Sequence, residues 1–271
     1  MNGIPLPGVA GEHARDVLAG RVQPVPARDA ATVVVLRPGP EVYMMRRRAS
    51  MAFAAGAFVF PGGSVDPRDS DQAISWAGPS PAEWGEVFRA AESTARGLVC
   101  AAVRETFEES GVLLAGPDAG SVVADTTGED WEADRLALID RSLSFADFLG
   151  RRGLVLRADL LRPWAHWITP EVESRRFDTR FFVAALPPGQ RTRDVGGEAD
   201  QVAWVRPGRA LRQADQGEIF LMPPTRRTLT ELSGYAGPEE ILATEREIVT
   251  IMPRVVEVDG EIRLQVSGEG A

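Results

Sequence analysis

The sequence predicts an α+β fold, a layered sandwich of sheet and helices, and three observations carry the prediction. Strand-like and helix-like segments are mixed without a regular β–α–β alternation, which argues against a doubly wound sheet. The chain has 271 residues, 44% of them hydrophobic and 25% charged, so one large domain with a sizeable core is expected. No internal repeat or low-complexity tract breaks it into smaller units.

The elements follow in order. Residues 1–29 are rich in Pro, Gly and Ala and read as a loose arm with one short helix; residues 30–271 read as a single domain. "ATVVVL" (31–36) is a β-branched run ended by the turn signal "RPGP", with "EVYMMRRR" (41–48) as its hairpin partner. "GAFVFPGG" (56–63) is a third strand closed by a Pro-Gly-Gly turn. Residues 64–80 are polar and loop-like, and 81–97 carries a helical apolar pattern beginning at Pro81. Residues 98–110 form a helix with Gly111 at its C-cap. Two helices are expected at 131–140 and 144–151, within an additional helical segment at about 116–153. "PWAHWITP", "RFDTRFFVAAL" and "QVAWV" are strands, 207–215, 225–234 and 238–248 are helices, and a hairpin across "VDGEI" ends the chain.

Composition removes several function classes. The net charge of −9 disfavours a nucleic-acid binder. All 30 basic residues are arginine, so neither a P-loop lysine nor a Schiff-base lysine exists. Cys100 is the single cysteine, which excludes an intrachain disulfide and a cysteine-based zinc site, and His13 and His166 are too few and too far apart in sequence to suggest a histidine metal cluster. No G-x-S-x-G elbow appears. No apolar run approaches the ~18 residues of a membrane span, and "MNGIPLPGVAGEHARD" lacks the pattern of a signal peptide. A cytoplasmic protein with no membrane or nucleic-acid partner is the expectation. Carboxylates, arginines and backbone remain to do chemistry.

The carboxylates concentrate in "VRETFEESGVLL". Residues three and four apart share a helix face, so Glu105, Glu108 and Glu109 make one acidic stripe, with Val99, Cys100, Val103 and Phe107 opposite it. Such a stripe either faces water or grips a cation. Glu108 and Glu109 stand at the negative end of the helix dipole, at a cost of ~0.3–1 kcal/mol per charge that a bound cation reverses. Arg104 precedes the stripe and is placed to fix one carboxylate. The Gly62-Gly63 turn allows backbone to approach a ligand closely and offers carbonyl oxygens to a hard cation. Oxygen-only ligation points to Mg²⁺ or Mn²⁺.

These residues carry a resemblance. "RETFEESGV", preceded by a strand ending in "FPGG", resembles the box that defines the Nudix hydrolases. The chain departs from the compact box: Gly63 and Arg104 are 41 positions apart, with an insertion at about 64–97, and Asp69 stands where the compact box has a glutamate. "VFPGG", the insertion, "RETFEESGVLL", "HWITP", "RFDTRFF" and "PPT" together are similar to the long-insert branch related to the mammalian peroxisomal coenzyme A diphosphatases, over about residues 30–235. The resemblance implies an α/β/α sandwich around a mixed central sheet, with extra C-terminal helices. It implies metal ligation by Glu105, Glu108 and Glu109, Arg104 orienting a catalytic Glu105, and a backbone carbonyl of Gly62 or Gly63 completing the shell. It implies one further acidic residue from a facing loop, for which Glu198 is the candidate, a solvated loop charge being the alternative. The reaction implied is hydrolysis of a small-molecule diphosphate, a nucleoside diphosphate linked to a moiety X; the alternative is a silent nucleotide-sensing or partner-binding module on the same fold.

Substrate contacts are read more coarsely. Arg46 and Arg48 share one face of a strand near the glycine turn and are candidates for phosphate, as is Arg180 in "FDTRFF". Phe53 and Phe58 serve either base stacking or the core, and Trp164, Trp167 and Trp204 read as core. An extended motif of coenzyme A diphosphatases keeps its glycine here at Gly56, and Ala52 stands where it has arginine. A homodimer is left open, with 64–97 and the helices after 207 as candidate interface elements.

Overall fold

In a computed structural model of the chain, residues 4–6, 8–48, 54–193 and 199–266 are described. The helices are α1 (Gly8–Leu18), α2 (Pro81–Phe88), α3 (Glu92–Ser110), α4 (Glu129–Ile139), α5 (Phe145–Arg152), α6 (Pro207–Asp215), α7 (Pro223–Leu232) and α8 (Pro238–Ala243).

The strand Arg28–Arg37 is the spine of the molecule. Its run Val33, Val34 and Val35 has no solvent exposure, as expected for a strand covered on both faces. It pairs in parallel with Phe177–Ala185, which pairs antiparallel with Arg162–Ile168. On its other side the spine divides its pairing. Its start takes Gly62–Ser64, while its end turns through a hairpin into Glu41–Arg47, which goes on to pair with Ala57–Val59 and Ala199–Val205. The mixed sheet thus opens between Glu41–Arg47 and Gly62–Ser64, and that opening holds the site described below.

Alternate residues of the spine face different cores. Ala31, Val33 and Val35 pack with Phe182, Trp84, Phe88 and the apolar side of α3. Val34 and Leu36 pack with Phe181, Trp164 and residues of α6, α7 and α8. Helices on both faces of one mixed sheet make an α/β/α sandwich. Among the described residues, no helix is long and apolar enough to cross a membrane.

Several elements differ from the sequence reading. The helical pattern over 81–97 is two helices, because Arg89 adopts a left-handed conformation (φ 51°) that ends α2, and α3 then begins at Glu92. The strand expected over 56–63 is divided around Pro61 into Ala57–Val59 and Gly62–Ser64, which pair with different neighbours. The helix expected over 238–248 stops at Ala243. The N-terminal arm is ordered further than composition suggests: Ile4–Pro5 adds a strand to the C-terminal hairpin Arg254–Val258 and Glu261–Gln265, an association of chain ends that no local pattern announces.

Candidate active site

Helix α3 ends where expected. Gly111 takes the left-handed C-cap conformation (φ 75°) and donates its N–H to the Phe107 carbonyl at 2.9 Å. The acidic stripe, however, does not face open water. α3 is buried almost all round, Glu108 is only 8% exposed, and Ser110 and Thr106 satisfy their hydroxyls on carbonyls one turn earlier.

Arg104 organises the stripe. Its Nη1 donates to Oε1 of Glu105 at 2.7 Å and to Oε1 of Glu108 at 3.0 Å. Its Nε and Nη2 donate to the two carboxylate oxygens of Asp69, at 3.0 and 2.9 Å, and Nη2 also reaches the Ser64 carbonyl. Asp69 is 1% exposed and belongs to a short 3-10 helix, Pro67–Ser70, whose N-cap Asp66 it completes by accepting the Asp66 N–H. From the other side, Arg135 of α4 donates to the Glu108 carbonyl at 2.6 Å and caps the end of α3. Spacing pointed to Asp69, whereas nothing in the sequence marked Arg135.

The glycine turn is close to the stripe. Gly62 N–H donates to Oε2 of Glu109 at 2.7 Å, and a Cβ on Gly63 would lie 2.5 Å from the Glu105 carboxylate. A Cβ on Gly62 would meet the Ala31 carbonyl oxygen at 2.4 Å. Both glycines therefore allow the strand to lie flat against the carboxylates and the spine.

Burial dominates the electrostatics. It raises the pKa of Glu105, Glu108 and Asp69, with Arg104 opposing the rise in each case. For Arg104 burial works against the charge, and the hydrogen bonds to Asp69 and the charges of Glu105 and Glu108 outweigh it, holding the guanidinium protonated. One guanidinium thus faces three carboxylates, those of Asp69, Glu105 and Glu108. That excess of buried negative charge, offered by hard oxygen donors only, fits a divalent cation of the Mg²⁺ or Mn²⁺ kind. Arg104 Nη1 bridges Glu105 and Glu108, while Glu109 accepts from the Gly62 N–H. Among the described residues no three potential ligands already converge in cation-binding geometry.

The cluster opens into a cleft of about 1320 Å³ where the sheet divides. Gly62, Gly63, Arg104, Glu105, Glu108 and Glu109 all line it. The other substrate candidates do not. Arg46 pairs with Asp200 and Arg48 donates to the Ala199 carbonyl, and neither arginine lines the cleft. Arg47 lines it instead, so the strand face that borders the cleft is the opposite of the one carrying Arg46 and Arg48. Arg180 is 5% exposed and bound to Asp29 and Asp178, on the sheet face opposite to Thr179 and Phe181, which border the cleft. Phe58 is 8% exposed and belongs to the core with Trp164 and Trp167. Glu198, Phe53 and Ala52 lie outside the described residues.

Comparisons with known proteins place the box helix within a known family. The NUDT19 Nudix domain family matches residues 93–232, which includes the whole of the Arg104–Glu109 cluster. Acyl-coenzyme A diphosphatase NUDT19 of Xenopus laevis is 27% identical over 248 residues, 74% of this chain and 62% of that protein. Putative nudix hydrolase 7 of Caenorhabditis elegans is 29% identical over 216 residues, 76% of this chain and 60% of that protein. The chain therefore spans about three fifths of the length of these curated relatives. The crystal structure of a NUDIX hydrolase from Alicyclobacillus acidocaldarius superposes with a TM-score of 0.69 at 28% identity, covering 82% of this chain and 98% of that one. With its box helix inside the family match and its fold matched over most of its length, this chain belongs to the Nudix hydrolase family, within the group defined by the NUDT19 Nudix domain.

Proposed function

We propose that this chain hydrolyses the diphosphate linkage of a nucleoside diphosphate joined to a moiety X, of the acyl-coenzyme A class, and releases two phosphate monoesters. The observation that carries the proposal is the buried excess of carboxylate charge around Arg104, open to a cleft far larger than a diphosphate alone would fill. The substrate class comes from the relatives named as acyl-coenzyme A diphosphatases.

Glu105, Glu108 and Glu109 would hold Mg²⁺ or Mn²⁺, which when bound neutralises phosphate oxygens and lowers the pKa of a coordinated water. Arg104 fixes the rotamers of Glu105 and Glu108, and Asp69 fixes Arg104. Glu105, whose burial raises its proton affinity, accepts the proton of the attacking water. The water oxygen bonds to one phosphorus, the bridging P–O bond breaks, and the leaving phosphate monoester carries away the bonding pair. Arg47, which lines the same cleft, would supply cationic contact to the bound diphosphate.

Retention of all three box glutamates favours catalysis over a silent sensing module. The experiment is phosphate-monoester release from coenzyme A, acyl-coenzyme A, ADP-ribose, NADH and dinucleotides, with Mg²⁺ and with chelator. Mg²⁺-dependent release that is highest for coenzyme A compounds is expected. Tight nucleotide binding with no release from any substrate would overturn it.

A further inference from the structure

The box helix ends without a cation of its own. α3 has no basic residue in its last turn, which is where Glu108 and Glu109 stand. The carbonyls freed at that end need donors from other parts of the chain. In a helix that continued, the Val112 N–H would serve the Glu108 carbonyl. Here it turns to the Ser110 hydroxyl at 3.2 Å, and the Glu108 carbonyl takes Nη1 of Arg135 at 2.6 Å. The Ser110 carbonyl takes the Arg193 N–H at 2.9 Å, and the Gly111 carbonyl takes the Thr126 hydroxyl at 2.6 Å.

Arg135 is 1% exposed, and its Nε and Nη2 donate as a fork to the two oxygens of Glu132, at 2.9 and 2.5 Å. Glu132 also accepts from Nη1 of Arg193 at 3.1 Å, so one carboxylate orients two guanidinium groups at the end of α3. The Arg193 side chain lies over Gly111, where a Cβ would come within 2.8 Å of its Nε. Nη2 of Arg193 donates to the Thr126 carbonyl, and the Tyr43 hydroxyl donates to the Arg193 carbonyl at 3.1 Å. Glu108 is thus held at both ends by different arginines, its carboxylate by Arg104 and its main chain by Arg135. Closing α3 does not itself call for a buried arginine, because Gly111 already supplies the C-cap. What Arg135 adds is a fixed main-chain position and a positive charge at the negative end of the helix, beneath two carboxylates.

We infer that Arg135, oriented by Glu132, is a positioning residue of the active site: it fixes the main chain of the last turn of α3, so that Glu108 and Glu109 present their carboxylates to one divalent cation. This deepens the functional reading above and rests on it for cation ligation by the box glutamates. The test is calorimetric titration of the metal-free intact chain with MnCl₂, which needs no substrate and no turnover. Arg135→Met is expected to weaken Mn²⁺ binding about tenfold, as is usual when a residue that orients a metal's ligands is lost. Arg135→Lys keeps the charge and a donor for the Glu108 carbonyl but not the fork, and should recover part of that loss. Glu132→Gln should weaken binding by a smaller factor, and it decides the matter if Arg135→Met does not fold. Arg152→Ala controls for general loosening of α4, since Arg152 ties α4 to α5 through Asp130, Asp134 and the Trp131 ring, all outside α3. Its melting temperature should fall with Mn²⁺ affinity unchanged. Parental affinity in Arg135→Met, or in Glu132→Gln where only that variant folds, overturns the positioning role, as does an equal loss in Arg152→Ala. A parent chain that binds no Mn²⁺ overturns the functional reading instead, and the inference with it.

Discussion

Arg104 and Asp69, 35 positions apart, meet through two parallel hydrogen bonds of 3.0 and 2.9 Å, and this pair ties the long insertion back onto the box helix. The geometry is bidentate and nearly dry, which makes the pair directional as well as charged. Its consequence is local: with two of its nitrogens fixed on Asp69, Arg104 presents its third, Nη1, to Glu105 and Glu108 in one orientation. The insertion therefore lengthens the chain between Asp69 and the helix without moving Asp69 away from it.

Asp69→Ala should loosen both the fold and the catalytic carboxylates. Loss of hydrogen bonds to a charged partner costs about 1.5–3 kcal/mol, and Arg104 retains Glu105 and Glu108 as partners, so the variant should still fold. Urea unfolding should show a lower midpoint with an unchanged m-value, and kcat should drop by about tenfold or more as Glu105 loses its fixed rotamer. A variant with parental kcat would show that Arg104 is positioned by other contacts.

Glu105→Gln and Glu109→Gln should abolish turnover with little effect on folding. The more specific expectation is thermal. Mg²⁺ or Mn²⁺ binding to the native state raises the melting temperature, by an increment that grows with the logarithm of metal concentration above Kd. The parent chain should show that rise and both variants should lose most of it. Because burial holds Glu105 above its ordinary pKa, its removal also relieves a cost at neutral pH, so the metal-free Glu105→Gln variant should be at least as stable as the parent.

Much of this site was readable before any coordinates. The spacing of Glu105, Glu108 and Glu109, the C-cap at Gly111 and the Gly62-Gly63 turn are local features, and local periodicity and turn chemistry report on them directly. The strand order was not, because pairing between Arg28–Arg37 and Phe177–Ala185 is a long-range choice with no local signature. The substrate arginines show the limit most sharply. Alternation along Glu41–Arg47 correctly separated Arg47 from Arg46 and Arg48, but which face meets the cleft depends on a sheet that divides its pairing, and no pattern within the strand encodes that division. Arg180 was misplaced for the same reason, since Asp29, its partner, comes from a strand 151 positions away.

Those arginines give a comparison. Arg47→Ala should raise KM for diphosphate substrates severalfold, since Arg47 lines the cleft. Arg46→Ala should leave kinetics unchanged, since its partner Asp200 is exposed and the pair lies outside the cleft. Steady-state kinetics of the two variants under one set of conditions would decide it, and equal effects would contradict the assignment of faces.

Asp66 gives a pH signature for the loop that carries Asp69. The Arg68 hydrogen bond holds the Asp66 carboxyl down at about 2, below its ordinary value of roughly 3.9. A carboxylate depressed in the folded state contributes stability above its unfolded pKa and loses that contribution as pH falls through its folded pKa. Asp66→Asn keeps the N-cap oxygen and removes the charge. The stability difference between parent and variant should be constant above about pH 5 and shrink between about pH 4 and about pH 2, as read from urea midpoints across that range.

The two glycines of the turn should fail in different ways. An alanine at Gly62 would place its Cβ 2.4 Å from the Ala31 carbonyl oxygen and 2.8 Å from the Thr32 Cα, both backbone atoms of the central strand that have no room to yield. Gly62→Ala should therefore cost about 1–3 kcal/mol of stability through overpacking. The nearest atoms an alanine at Gly63 would meet are those of the Glu105 carboxylate, the far end of a side chain that can rotate away. Gly63→Ala should keep a near-parental melting temperature and lose activity, because the displaced carboxylate is the one that Arg104 holds for catalysis. Calorimetric melting and kcat measured on both variants would separate the cases, and a Gly63→Ala protein with full activity would show that Glu105 does not need the space this glycine leaves.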